Sequence, residues 1–201
     1  MIKTLRILIF ILFSSFLVSS QENEIESDFL NEVIFSDQDS IIYVEKSFGW
    51  NKIKKVLNRK VFIDYNQNNT NTIELIDKEF EFILNEIKIN RNHIWDTNLF
   101  PKAIKISHDK VESFLHNVNR PAKLELENYQ KSIDTSAAIN LKNKLYFAKT
   151  FTKPIFFRKN QFCIFYHKII TGDNNDYEQI AFYKKVNGKW IEWLEIFNNL
   201  N

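Results

Sequence analysis

The stretch FCIFYHKIITGDNNDYEQIAFYKKVNGKWIEWLEIF, Phe162 to Phe197, decides the fold. Near its centre stands Asn187-Gly188, flanked on both sides by apolar residues in alternation. A two-residue type I′ turn needs positive φ at both central positions, and Asn-Gly meets that need best. The turn therefore predicts a hairpin in which Val186 opposes Lys189, Lys184 opposes Ile191, Tyr183 opposes Glu192 and Phe182 opposes Trp193. Side chains alternate across a strand. Ile180, Phe182, Val186, Ile191, Trp193 and Phe197 then share one face, and Ala181, Tyr183, Trp190, Leu194 and Ile196 share the other.

Both faces are apolar, whereas an antiparallel sheet with one wet face shows a polar side. Either both are covered, or one offers an aromatic surface to a ligand or partner. On this register the Ile180/Phe182 face is core, Trp193 is the more buried tryptophan and Trp190 the more exposed. Tyr183, Trp190 and Leu194 become the candidate binding residues.

Working outward from the hairpin, LYFAKTF, PIFF and FCIFYHKII also read as strands, so the meander starts near Leu145. The preceding half is helical. Ile73, Ile76, Phe80, Ile83 and Ile87 form one stripe at helical spacing, predicting a helix over Thr72–Lys88 that packs on the sheet. Asn71 is its expected cap, with Glu74 completing a capping box. A short helix is expected over Ile25–Phe35 and another over Trp50–Leu57. Ile41–Lys46, VFIDY and AIKI (Ala103–Ile106) look extended. Ser107 should cap a helix carrying Val111, Phe114 and Leu115, which Asn119-Arg120-Pro121 should end; Pro121 can open a further helix through Tyr129. The expected class is α+β, a helical N-terminal half packed on a C-terminal antiparallel β-meander of about four to five strands.

The N-terminus, MIKTLRILIFILFSSFLVSSQ, has a basic start, a short apolar run and then small residues, with Val18 and Ser20 at −3 and −1 of a cleavage site before Gln21. That is the layout of a secretory signal peptide, so residues 1–20 are expected to be removed and 21–201 to form a single domain. No cysteine follows the apolar run, which argues against a lipoprotein. Removing Lys3 and Arg6 from 27 basic residues leaves 25 against 25 acidic ones. With no basic stripe, nucleic acid is not an expected partner, and none of the mature chain is expected in a membrane.

The segments KPIFFRKNQFCIFYHKII and AFYKKVNGKWIEW, with WDTNLFPKAIKIS upstream, are similar to a group of uncharacterised secreted proteins from Flavobacterium-type bacteria. The resemblance spans roughly Glu74 to Trp193. It implies export and an α+β fold and carries no catalytic residues. Members often have a Cys- and Gly-rich turn after the CIFY strand, where this chain has TGDNNDYEQ.

Motifs for chemistry are missing. Cys163 is the sole cysteine, so no intramolecular disulfide forms, and its apolar flanks make it a buried small hydrophobe. His93, His108, His116 and His167 have no HxH or HxxxH spacing, so no metal site is expected. GDNNDYE lacks the alternation of a calcium loop. Gly49, Gly172 and Gly188 stand isolated, which excludes a phosphate loop. No catalytic residue and no cofactor is assigned. The function expected is a non-catalytic exported binding or structural module whose aromatic sheet face meets another protein or a small apolar ligand. The alternative is an exported hydrolase with an acid/base pair assembled from distant residues, which a pocket holding His167 beside a carboxylate would support.

Overall fold

A computed structural model describes residues 24–35, 41–63, 71–95, 103–132, 145–172 and 175–200. The expected signal peptide lies outside them. The chain forms two compact units, residues 1–38 and 39–201. In the first, residues 24–33 form helix α1, as their spacing predicts. Among the described residues no helix is long and apolar enough to cross a membrane.

The second unit is α+β, and its order follows the chain: β1 (Ile42–Val44), α2 (Trp50–Val56), β2 (Val61–Ile63), β3 (Thr72–Glu74), α3 (Asp77–Ile89), β4 (Ile104–Ile106), α4 (Val111–Ser132), β5 (Ala148–Phe151), β6 (Ile155–Phe157), β7 (Phe162–Ile170), β8 (Tyr177–Val186) and β9 (Lys189–Leu200). Seven strands make one sheet in the order β4-β1-β5-β7-β8-β9, with β6 continuing beside β7. The expected meander is its antiparallel part. Two strands from the helical half extend it, β1 lying parallel to both β4 and β5, so the sheet is mixed. β2 and β3 pair separately.

Asn187 and Gly188 have φ of 51° and 83°, as a type I′ turn requires. The register holds from Val186/Lys189 to Tyr183/Glu192 and then shifts: Phe182 opposes Leu194, not Trp193, and a second shift follows between Ile180 and Ala181. These are β-bulges, each adding one residue to β9. They turn Trp193, Leu194, Ile196 and Phe197 toward one core, which strict alternation would have split between two faces.

That core lies under α2 and α3. Ile53, Ile83 and Ile87 from the helices meet Ile164, Phe182 and Leu194 of the sheet, with Phe62 and Ile73 of the small β2–β3 pair. Of the expected stripe, Ile83 and Ile87 thus pack on the sheet from the helix, which starts later than expected. Thr72–Glu74 is strand, because Val61–Ile63 offers it a backbone partner that local spacing cannot reveal. Asn71 instead donates to the Trp193 carbonyl (2.8 Å). At the helix start the Ile76 N–H donates to Glu79 (3.2 Å), half of a capping box. Ile76 is exposed and Phe80 half-buried.

Helix α4 runs through Pro121 without ending. The ring removes the bond to the Asn117 carbonyl, an exposed site that water can satisfy. Asn119, expected to stop the helix, instead accepts from the Tyr146 N–H (2.7 Å) and donates to its carbonyl (2.8 Å). Ser107 donates to the Asp109 side chain rather than capping the helix. Val111 and Leu115 pack on Ile42, Val44 and Ala148 at the β4–β1–β5 end.

The β6–β7 turn is unusual in that Arg158, Lys159 and Asn160 all have positive φ, 51°, 55° and 59°. Arg158 and Lys159 cost about 1–2 kcal/mol each in this region, which Asn160 adopts more readily. Arg158 clamps the turn, donating through Nε and Nη2 to the two Glu79 oxygens (2.8 and 2.9 Å) and through Nη2 to the Glu74 carbonyl (2.6 Å).

Candidate functional site

Tyr183, Trp190 and Leu194 do not form an open aromatic surface. They are only 4 %, 7 % and 1 % exposed. The bulge at Trp193 also separates them. Leu194 joins Phe182 in the first core, while Tyr183 and Trp190 lie on the opposite face, packed on Phe165 (6.1 Å) and Phe156 (5.4 Å). The tryptophan order reverses as well: Trp190 is buried, whereas Trp193 is half-exposed with Lys184 Nζ 4.1 Å above its ring.

A pocket of about 510 Å³ opens elsewhere, between the start of α2 and the β5–β7 part of the sheet. Its floor follows from strand alternation. Thr150 opposes Lys168 in the β5–β7 ladder, and Tyr166 and Ile170 sit two residues to either side on the same face. Above them runs the segment Lys46–Lys52. An isolated bridge joins Lys46 to Ile94, and Ser47 is pinned by its N–H to the His93 carbonyl (3.0 Å) and its hydroxyl to the Phe151 carbonyl (3.0 Å). Gly49 (φ 101°) then lies flat against Tyr166, where a Cβ would fall 2.1 Å from Cδ1 of the ring. Arg91 and Asn92, from the 3-10 turn after α3, line the pocket too, as does His108, which stacks on Phe48 at 4.4 Å.

Behind the floor, Glu178 is buried and accepts from the Tyr166 hydroxyl (3.1 Å) and from Lys52 Nζ. Burial pushes its carboxyl up, but the bonds from Lys52 and Tyr166 and the charges of Lys52 and Lys168 outweigh that and hold it below its ordinary value. Burial and the Glu178 charge raise Tyr166 far above the usual phenol range, so it stays a donor. This is a committed structural cluster: the carboxylate has no free proton to give, and the phenol none to lose.

Among the described residues four cationic side chains line the pocket, Lys46, Lys52, Arg91 and Lys168, and no acidic one does. Lys52 is balanced by Glu178 and Lys168 by Asp176 (2.7 Å). Lys46 and Arg91 have no ion pair among the described residues. Of two further lining residues, Trp50 and Thr150, the Nε1 and Oγ1 atoms are buried without a hydrogen-bond partner. A buried donor left unpaired costs about 1–3 kcal/mol. The pocket therefore presents spare positive charge, with two unpartnered polar groups buried in the residues of its wall.

His167 points away from this pocket, on the opposite face of β7 beside Tyr177 (6.0 Å). Its Nδ1 is buried without a partner, and no carboxylate hydrogen-bonds it. Burial, and then the Lys149 charge, lower it from 6.5 to about 4. The unfolded chain takes up this proton near 6.5, the fold only near 4. The stabilisation is thus complete above pH 6.5 and disappears as the pH falls toward 4, a loss of about 3 kcal/mol. Urea unfolding at neutral and at acid pH should show His167→Gln losing less stability on acidification than the parent. Equal losses would mean that another group carries the effect.

Asp176 ties down its loop by accepting from the Thr171 N–H (3.1 Å), while Asp173 and Asn174 lie outside the described residues. Among the described residues no group of three His, Cys, Asp or Glu could hold a metal. Cys163 is fully buried. The pocket draws on segments around residues 46–52, 91–92, 108, 150 and 166–170, so no local motif announces it. Its only signal in the sequence is the glycine beside an aromatic in SFGWNK.

No protein-family model matches the chain, and no curated protein or solved structure shows significant similarity to it.

Proposed function

We propose that the protein is an exported, non-catalytic binding module that takes a small anionic ligand in the pocket between α2 and the sheet. Export rests on the basic, apolar and small-residue layout of the first twenty residues. The observation that carries the binding role is the pairing of unbalanced Lys46 and Arg91 with the unpartnered donors of Trp50 and Thr150. An oxyanion answers the charge directly and reaches the buried donors once the wall shifts to admit it, since charge-assisted hydrogen bonds are the strong ones. Phe48, Trp50 and Tyr166 add apolar wall, the usual make-up of a small-molecule site. The hydrolase reading has no acid/base pair here, as Glu178 and Tyr166 are bound to each other.

A thermal-shift panel of inorganic phosphate, sulfate, and small mono- and dicarboxylates tests this. At least one should raise the unfolding temperature, less so at high salt. Lys46→Glu/Arg91→Glu should weaken that ligand tenfold or more, about 1.4 kcal/mol. Both residues are exposed, so the ligand-free stability should shift by only about 0.5 kcal/mol. Unchanged affinity in the double variant, or no response to any anion, would refute the reading.

A further inference from the structure

A second cleft, of about 490 Å³, lies toward the end of α2, and apart from the shared Lys52 its lining differs in kind. The floor is aliphatic and aromatic: Val56 from the helix, Ile180 from β8, and Ile196 and Phe197 from β9. Two consecutive β9 residues face the same way there because of the bulge between Ile180 and Ala181. Ile180 is fully buried, while Val56, Ile196 and Phe197 are half-covered, so the first core reaches the surface here. The rim is cationic, formed by Lys52, Lys55 and Arg59, and no acidic residue lines the cleft among the described residues. Lys52 is balanced by Glu178, but Lys55 and Arg59 have no ion pair among the described residues. Arg59 is held in place by its guanidinium lying 5.3 Å from the Phe62 ring.

An apolar floor with a one-signed rim selects an amphiphile. Its hydrocarbon tail covers the half-exposed Ile196 and Phe197, and its anionic head meets Lys55 and Arg59. A macromolecular partner fits less well, because four apolar side chains are few against the 20–30 residues a side of a stable interface. The volume falls within the range of small-molecule sites. We infer that this cleft binds a single-chain aliphatic carboxylate, a free fatty acid, independently of the anion pocket, with which it shares only Lys52 among the described lining residues.

Calorimetric titration with dodecanoate below its micelle concentration should show one saturable site. Acetate, which lacks the chain, and dodecyltrimethylammonium, which reverses the head charge, should not compete for it. Lys55→Glu/Arg59→Glu should weaken dodecanoate tenfold or more while leaving the unfolding transition in place, since both side chains are exposed. Lys46→Glu/Arg91→Glu should leave dodecanoate binding unchanged, which separates this site from the anion pocket. The inference is overturned if dodecanoate does not saturate, if either control ligand competes, or if the Lys55/Arg59 variant binds as before. It is overturned equally if the Lys46/Arg91 variant loses binding, or if the protein binds only vesicles of anionic phospholipid and not the monomeric acid.

Discussion

Gly49→Ala is expected to destabilise the protein by about 3–4 kcal/mol, roughly 1–2 from placing an alanine at φ 101° and the rest from overpacking against Tyr166. The added methyl would sit 2.1 Å from Cδ1 of the ring. Tyr166 cannot retreat, because its hydroxyl is held by Glu178 and the Thr152 side chain accepts from its N–H (3.2 Å). Combining the change with Tyr166→Ala should recover the steric part and leave the backbone part, a coupling that a double-mutant cycle in urea reads directly. The variant should also lose anion binding, since the same segment carries Lys46, Trp50 and Lys52. A single-variant cost below about 1 kcal/mol would show that the ring does not rest on Gly49.

Phe182→Ala should cost about 3–5 kcal/mol, the usual figure for emptying a buried aromatic site. Phe182 is fully buried and meets Phe62 edge-on at 5.2 Å and Phe157 at 6.0 Å, joining the main sheet to the small β2–β3 pair. Ile191→Ala, on the same hairpin but exposed, should stay within about 0.5 kcal/mol. Similar shifts in urea midpoint for the two would place the core on the wrong residues.

The hairpin and the strand-rich half were legible because Asn-Gly and period-two alternation are local signals. The bulges were not. In WIEWLEIF apolar residues come in pairs, Trp190-Ile191, Trp193-Leu194 and Ile196-Phe197, every three residues. No flat strand can place both members of a pair on one face, and where the extra residue enters is settled by packing under α2. That one slip moved Leu194 across the sheet. The order of the tryptophans has another cause: Trp190 precedes the shift and is buried because Phe156 packs on its face. Thr72–Glu74 was misread for a related reason. Ile73 and Ile76 fit a helical stripe, and only a partner strand elsewhere in the chain makes the first of them β. The candidate pocket was least legible of all, since charge on Lys46 and Arg91 looks like any solvated surface until the fold brings the two beside Trp50 and Thr150.

The two tight turns of the β half differ in what they need before they can exist. Asn187-Gly188 carries its own conformational preference, so its hairpin can close early, from neighbours alone. The left-handed run Arg158-Lys159-Asn160 runs against preference at its first two residues, and its anchors, Glu74 and Glu79, come about eighty positions earlier. The β6–β7 corner is therefore a late event, waiting for α3 to arrive. In stopped-flow experiments Arg158→Ala should speed unfolding and leave the folding rate nearly unchanged, whereas Gly188→Ala should slow folding. If Arg158→Ala instead slowed folding, the corner would belong to the nucleus. One arginine thus sets how long the sheet, once made, stays made.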